Sequence, residues 1–188
     1  MKEKLKQLLT KRQKRHITDA GRISSAVLLP LFVKDGQYYI LFIKRTEMVK
    51  DHKGQISFPG GQREAGEALM DTALRECCEE VGVSPGDVEV LGELDDEITT
   101  TSSYIVTPFA GRIPWPYELR KNDYEVDEII EVPVAALLED GCLRDDIEFL
   151  NGEEVASCAY HYEGRIIWGA TARILNRFLE IYIRAAKP

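Results

Sequence analysis

Long apolar runs, paired cysteines and an excess of basic residues are all missing from this chain of 188 residues. No stretch approaches the roughly 18 apolar residues that a membrane-spanning helix requires, so we expect no membrane association. The N-terminal segment also lacks the apolar core and small-residue cleavage site of a secretory signal. These absences favour a protein of the cytoplasm.

Metal-binding pairs of cysteine and histidine are missing as well. The four cysteines and three histidines show no spacing that is typical of a zinc site. Cys77 and Cys78 are adjacent within a helical pattern, where their side chains diverge by about 100°. We therefore expect reduced, partly buried thiols and no structural zinc.

The net charge of −8 is unevenly distributed along the chain. Residues 1–22 carry eight Lys/Arg and two Asp/Glu, which leaves 16 basic and 30 acidic residues, a net charge of −14, in residues 23–188. We expect a basic helical arm over 1–22, with a solvated face or a partner-binding role, and one domain over 23–188. Nucleic-acid binding is disfavoured because phosphate backbones attract clustered Lys and Arg. A phosphate-ester ligand would require a cation.

The hydrophobic pattern predicts strands alternating with helices. Residues 24–33 and 37–45 read as two strands of a hairpin, since Asp35-Gly36 is a strong turn signal. A helix is predicted over 68–81, and a closing amphipathic helix over 170–186. Further strands lie between these helices, so the fold class is α/β, with a mixed sheet between helices.

The helix over 68–81 is predicted to bury one face and to present carboxylates on the other. An apolar stripe at helical spacing consists of Met70, Leu74, Cys77 and Val81. Glu76, Glu79 and Glu80 fall on the opposite arc, and like charges at these spacings repel one another. A cation explains the cluster better than a solvated face does, and oxygen ligands suit Mg²⁺ or Mn²⁺.

Counted from Gly61, the sequence reads G-x5-E-x7-R-E-C-x-E-E-x-G-V and ends at Val83. This pattern resembles the Nudix box, the signature of hydrolases of nucleoside diphosphates linked to another moiety. The resemblance implies a Nudix-type α/β/α sandwich. It also implies a metal site formed by Glu76, Glu79, Glu80 and the backbone carbonyl near Gly60. Two further box residues, Glu67 and Arg75, would hold the loop against the helix.

The mechanism implied by the box is attack of water on a diphosphate phosphorus atom, assisted by the metal. Glu79 or Glu80 would act as the general base. The box does not decide between the two glutamates, and a base from a different loop is also open.

The segment before the box bears on the choice of substrate. From Leu41 to Gly61 its spacing resembles, without insertion, the additional signature of coenzyme A pyrophosphatases. By this resemblance we expect substrate contacts from Arg45, Lys50, His52, Gly54 and Gln55. Lys50 stands where that signature usually has arginine, so a phosphate contact there would lose its bidentate geometry.

The leading hypothesis is therefore Mg²⁺-dependent hydrolysis of coenzyme A or its acyl derivatives to 4′-phosphopantetheine products and adenosine 3′,5′-bisphosphate. A Nudix pyrophosphatase for NADH, ADP-ribose, nucleotide sugars or nucleoside triphosphates is the alternative. A non-hydrolytic module that binds nucleotides or a partner is a third reading. The expected partner is a small nucleoside-diphosphate substrate, and the chain is expected to be a monomer or homodimer.

Overall fold

A computed structural model describes residues 1–48, 53–100, 102–150 and 152–187 of the chain. Lys50 and His52 lie outside the described residues. The helices are α1 (Lys2–Lys11), α2 (Leu69–Val81), α3 (Val134–Leu137) and α4 (Gly169–Ala186). The strands are β1 (Ile23–Lys34), β2 (Gln37–Arg45), β3 (Ile56–Ser57), β4 (Gly60–Gln62), β5 (Glu89–Glu93), β6 (Glu97–Ile98), β7 (Tyr104–Arg112), β8 (Val126–Pro133), β9 (Leu143–Leu150), β10 (Glu153–Tyr162) and β11 (Arg165–Ile167).

The main sheet has eight strands of mixed direction. Its central path runs β3-β2-β1-β7-β5, with β4 paired to β1, β6 to β7 and β8 to β2. Strand β1 runs parallel to β7 and antiparallel to β2 and β4. A separate antiparallel sheet has the order β11-β10-β9. The predicted mixed sheet is confirmed.

Alternate residues of β1 and β2 enter two different hydrophobic cores, as the period of two in a strand requires. Leu28 and Leu41 pack on one face of the sheet with Cys77 and Val81 of α2. The next residues along each strand, Leu29 and Phe42, pack on the other face with α1 and α4. Helices therefore cover both faces, and the predicted α/β/α sandwich is confirmed.

The predicted β1–β2 hairpin is confirmed, including its turn. Asp35 and Gly36 have φ values of 51° and 76°, the paired positive values that a tight two-residue hairpin needs. Strand β4 begins at two consecutive glycines, which are poor strand formers, and it forms because it pairs with residues 25–27 of β1. In β9, acidic residues interrupt the apolar pattern.

Helix α1 was expected to be mostly exposed, and it is anchored by two buried leucines. Leu5 and Leu9 are 0% and 1% exposed within the core that contains α4. Gly92 of β5 makes room for the helix, because a Cβ atom there would lie 2.6 Å from Cβ of Leu9. The boundary between arm and domain stays a prediction. None of the described helices is long and apolar enough to cross a membrane.

Candidate active site

Helix α2 places the three glutamates of the box in three different environments. The side chains of Glu76, Glu79 and Glu80 are 14%, 55% and 1% exposed, respectively. The predicted exposed face is therefore wrong for Glu80, which turns inward beneath the loop that precedes the helix. Met70 was expected to be buried and is 42% exposed. Gly82 ends the helix in the left-handed conformation, with φ of 78°, that glycine adopts readily at this position.

Glu80 is a buried carboxylate held by two donors. The backbone N–H of Gly60 donates to Oε2 at 2.9 Å, and Nη1 of Arg45 donates to Oε1 at 3.1 Å. Burial raises the pKa of Glu80 to about 8, although Arg45 and the Gly60 N–H act in the opposite direction. Burial also raises the pKa of Glu76, against the effect of Arg75.

Gly60 and Gly61 lie so close to neighbouring atoms that a Cβ atom at either position would clash. A Cβ atom at Gly61 would lie 2.5 Å from the carboxylate of Glu76. At Gly60 it would lie 2.4 Å from the carbonyl oxygen of Ala26. At Gly60 the clash is with backbone, which cannot give way, whereas at Gly61 the Glu76 carboxylate would have to move away from the loop. The glycines therefore let the loop lie directly against the glutamates.

Arg75 joins the loop to the helix. Its Nε donates to Glu67 at 2.9 Å, and its Nη1 contacts Glu76 at 2.7 Å and Glu79 at 3.1 Å. Its Nη2 donates to the carbonyl oxygen of Gln62 at 3.2 Å. Hydrogen bonds from Arg75, and then from Thr72, lower the pKa of Glu67 to about 2. The structure thus brings together the two residues that were predicted to support the loop.

The charges of this cluster do not cancel. Four carboxylates contact only two guanidinium groups among the described residues, with Arg45 on Glu80 and Arg75 on the other three. Two negative charges are left over if all four carboxylates are ionised. Carboxylate oxygens with an uncompensated double charge suit a hard divalent cation, so the residues fit the predicted Mg²⁺.

A cleft of about 460 Å³, called the main cleft below, meets the cluster at Arg45, Gly60 and Gly61. Its aromatic lining residues are Phe58, Tyr104, Tyr124 and Trp168. This volume lies in the range of small-molecule sites. The main cleft therefore joins an anionic cluster to an aromatic surface.

Glu125 also lines the main cleft, and the sequence reading did not name it. Its charge acts on both Glu76 and Glu80 and helps to raise their pKa values. No motif marks this residue, which lies just before β8. Only the pairing of β8 with β2 brings it to the site, since the Glu125 carbonyl accepts the Thr46 N–H at 3.0 Å.

Two described residues of the upstream signature, Arg45 and Gln55, line the main cleft, and Gly54 is hydrogen-bonded to Arg45. Arg45 and Gly54 face each other, because the Gly54 N–H donates to the Arg45 carbonyl at 3.1 Å. Gly54 has φ of 65°, and a Cβ atom there would lie 2.7 Å from Oε1 of Glu47. Gln55 lines the main cleft. The predicted contacts of Lys50 and His52 lie outside the described residues.

A second acidic group lies on other elements. Nδ1 of His16 is 3.9 Å from Oε1 of Glu93 and 3.6 Å from Oδ2 of Asp96. Lys14 also contacts Glu93, and Asp96 accepts hydrogen bonds from Ile17 and Thr107. Existing partners therefore already occupy these carboxylates. The four cysteines are free thiols.

The profile of the NUDIX domain family matches residues 22–151. The chain therefore belongs to the Nudix family, and it is a Nudix pyrophosphohydrolase. Enzymes of this family generally use divalent metals such as Mg²⁺.

The relatives agree with this assignment. The Nudix hydrolase NudL of Photorhabdus laumondii is 32% identical over 167 residues, which cover 88% of this chain and 88% of that protein. Nudix hydrolase 3 of Caenorhabditis elegans is 33% identical, over 89% of this chain and 77% of that protein. A MutT/nudix family protein from Enterococcus faecalis shares the fold, with a TM-score of 0.58 and 17% identity, over 91% of this chain and 66% of that one.

Proposed function

We propose that the chain hydrolyses the diphosphate bond of coenzyme A or acyl coenzyme A. The products are 4′-phosphopantetheine, or its acyl form, and adenosine 3′,5′-bisphosphate. Glu76, Glu79, Glu80 and the carbonyl of Gly60 would hold Mg²⁺, with Mn²⁺ as a substitute. Arg45, Gly54 and Gln55 would contact the substrate, as would Lys50 and His52 by the resemblance of their segment.

The observation that carries this proposal is the place of Arg45. The upstream signature ends β2 with this arginine, and the fold brings its guanidinium to 3.1 Å from the buried carboxylate of Glu80. Arg45 also lines the main cleft. A single side chain therefore joins the residues that resemble coenzyme A pyrophosphatases to the residues of the Nudix box. A guanidinium in this position offers a fork of donors to a diphosphate oxygen.

The main cleft supports a substrate with a long apolar portion. Aromatic residues and the apolar Val27, Val106 and Ile174 form much of its lining. An adenine ring gains by stacking on aromatic side chains, and a pantetheine chain gains by burial of its methylene groups.

The reaction adds water across one P–O–P bridge, so that one product takes the hydroxyl group and the other takes the proton. Glu76, Glu79, Glu80 and the Gly60 carbonyl would hold Mg²⁺, which would supply neutralisation of phosphate charge and a lower pKa of the attacking water. Glu79, Glu80 and Glu125 are the candidates for the base that removes the proton from the attacking water. Arg45 orients the diphosphate, and Arg75 with Glu67 keeps the loop against α2.

A substrate panel tests the proposal. The protein is incubated with Mg²⁺ and equimolar coenzyme A, acetyl coenzyme A, NADH, ADP-ribose and nucleoside triphosphates, and the products are separated by chromatography. We expect coenzyme A or its acyl form to give the highest kcat/KM. Comparable or faster turnover of another substrate would contradict the proposal. Nucleotide binding without turnover of any substrate would favour the non-hydrolytic reading instead.

A further inference from the structure

A second cleft of about 510 Å³, called the side cleft below, adjoins the main cleft. Gln55 and Trp168 line both clefts, so the two cavities share a wall. The side cleft lies between the segment that precedes the box and the turn that joins β10 to β11. Its position therefore allows one extended ligand to reach both cavities.

Basic side chains are concentrated in the side cleft, although the chain as a whole is acidic. Its basic lining residues are Lys44, Lys53 and Arg165, and its acidic lining residue among those described is Glu128. Two further carboxylates, Asp127 and Glu163, contact Lys44 and Arg165. Three cations in one cleft of a protein whose net charge is −8 suit an anion that can displace these carboxylates.

Two of the three cations already have partners, but at exposed positions. Lys44 contacts Asp127 at 2.8 Å, and Arg165 contacts Glu128 at 2.7 Å and Glu163 at 3.6 Å. These three carboxylates are 53%, 42% and 65% exposed. Exposed ion pairs contribute little to stability, so a phosphate group can replace them at small cost. Lys53 is exposed and makes no ion pair with any described residue.

Backbone turns present these cations on both sides of the cleft. Glu163 and Gly164 have φ values of 48° and 76°, which form the tight turn before Arg165. On the other side, the Gly54 turn places Lys53 after the end of β2. Strand β11 contacts β3, so the two walls belong to packed elements of the fold.

We propose that the side cleft binds the 3′-phosphate of the coenzyme A ribose while the diphosphate lies at the glutamate cluster. This inference rests on the proposed function, and it assigns a specificity role to Lys44, Lys53 and Arg165. A phosphate monoester carries close to two negative charges at neutral pH and accepts hydrogen bonds from Lys and Arg. NADH and ADP-ribose lack this group, so the side cleft would discriminate against them.

The test compares coenzyme A with 3′-dephospho-coenzyme A, which has the same diphosphate and pantetheine. We expect wild-type kcat/KM to be about tenfold higher for coenzyme A, because charge-assisted contacts to the 3′-phosphate are added. In Lys44→Gln and Arg165→Gln the preference should fall to about threefold or less. The loss should appear as a higher KM for coenzyme A, since these contacts lie away from the scissile bond.

Lys34→Gln is the matched control. Lys34 contacts Glu131 at 2.8 Å and is 39% exposed, while Lys44 contacts Asp127 at 2.8 Å and is 41% exposed. Lys34 lies at the end of β1 and lines neither cleft. The preference should be unchanged in this variant.

Three results would overturn the assignment of the side cleft while leaving coenzyme A hydrolysis intact. These are equal wild-type kcat/KM for the two substrates, an unchanged preference in Lys44→Gln and Arg165→Gln, and an equal loss for both substrates in those variants. Absence of coenzyme A turnover in the wild type would overturn the proposed function and the inference together.

Discussion

Helices α1 and α2 both carry dense charge of one sign, and they use it in different ways. The basic residues of the N-terminal arm meet acidic residues at β5 and just after it. Lys2 and Lys6 contact Glu89 at 3.2 and 3.6 Å, and Arg12 contacts Asp95 at 2.7 Å. The acidic residues of α2 instead meet too few cations among the described residues to be neutralised.

This difference distinguishes charges that pair within the fold from charges that are left for a ligand to neutralise. A charged segment that finds opposite charge within the fold becomes part of the packing, as α1 does around Leu5 and Leu9. A partly buried segment whose charges outnumber those of its partners is electrostatically unfavourable. A ligand of opposite charge can relieve this destabilisation. Glu80 shows this most clearly, since burial raises its pKa to about 8. The arm thus has partners within the chain, whereas α2 is the helix at which we propose that a cation from outside binds.

The largest expected effect is on activity at α2. Glu80→Gln should lower kcat by about a hundredfold or more, because it removes a charge that would hold Mg²⁺. Stability should fall by about 1–3 kcal/mol, because the amide retains the volume of the carboxyl group but its nitrogen cannot accept the hydrogen bond that one carboxylate oxygen accepts from Arg45 or Gly60. Steady-state kinetics and urea unfolding measure the two effects. Glu118→Gln is the control, because Glu118 pairs with Arg120 at the surface. Wild-type turnover in Glu80→Gln would refute the metal role.

Truncation of the arm's anchor should affect stability instead. Leu9→Ala should lower the free energy of unfolding by about 3 kcal/mol, because it leaves a cavity at a fully buried site. Leu8→Ala is the neighbouring control and should cost less, since Leu8 is only partly buried. Urea unfolding measures both variants. Equal small losses would mean that α1 does not pack as part of the domain in solution.

Acidic pH should weaken the support of the α2 loop. The pKa of Glu67 is about 2 in the folded protein, compared with an ordinary value of 4.5. The unfolded chain therefore binds more protons between these values, and the stability from Glu67 is lost as pH falls from about 4.5 to about 2. The difference in unfolding free energy between wild type and Glu67→Gln should shrink over this interval. A difference that is independent of pH would contradict the role of the Arg75 pair.

The smallest effect is expected from the arm's ion pairs. Arg12→Gln should lower the free energy of unfolding by about 1 kcal/mol or less, because the pair with Asp95 is partly exposed. The loss should diminish at high salt, which screens such pairs. Activity should be unchanged. A loss of activity that matches that of Glu80→Gln would remove the distinction between the two helices.

Local patterns predicted most elements well. Helix α2 and strand β2 have nearly the predicted bounds, because hydrophobic period and glycine punctuation are local properties of the chain. The pattern failed where long-range pairing decided the outcome. Strand β4 exists because β1 offers it a partner, and Glu80 is buried because the Gly60 loop lies over it.

The sequence alone determined the reaction class, since the spacing from Gly61 to Val83 places glycines and carboxylates where the family has them. It also determined the α/β architecture through periods of two and 3.6 residues. Only the tertiary structure decided which charges are neutralised. Residues far apart in the chain come together in three places. Arm lysines pair with Glu89, Glu125 acts on the glutamate cluster, and Lys44 and Arg165 line the same cleft. Electrostatic interaction depends on distance and burial, which the order of residues does not contain.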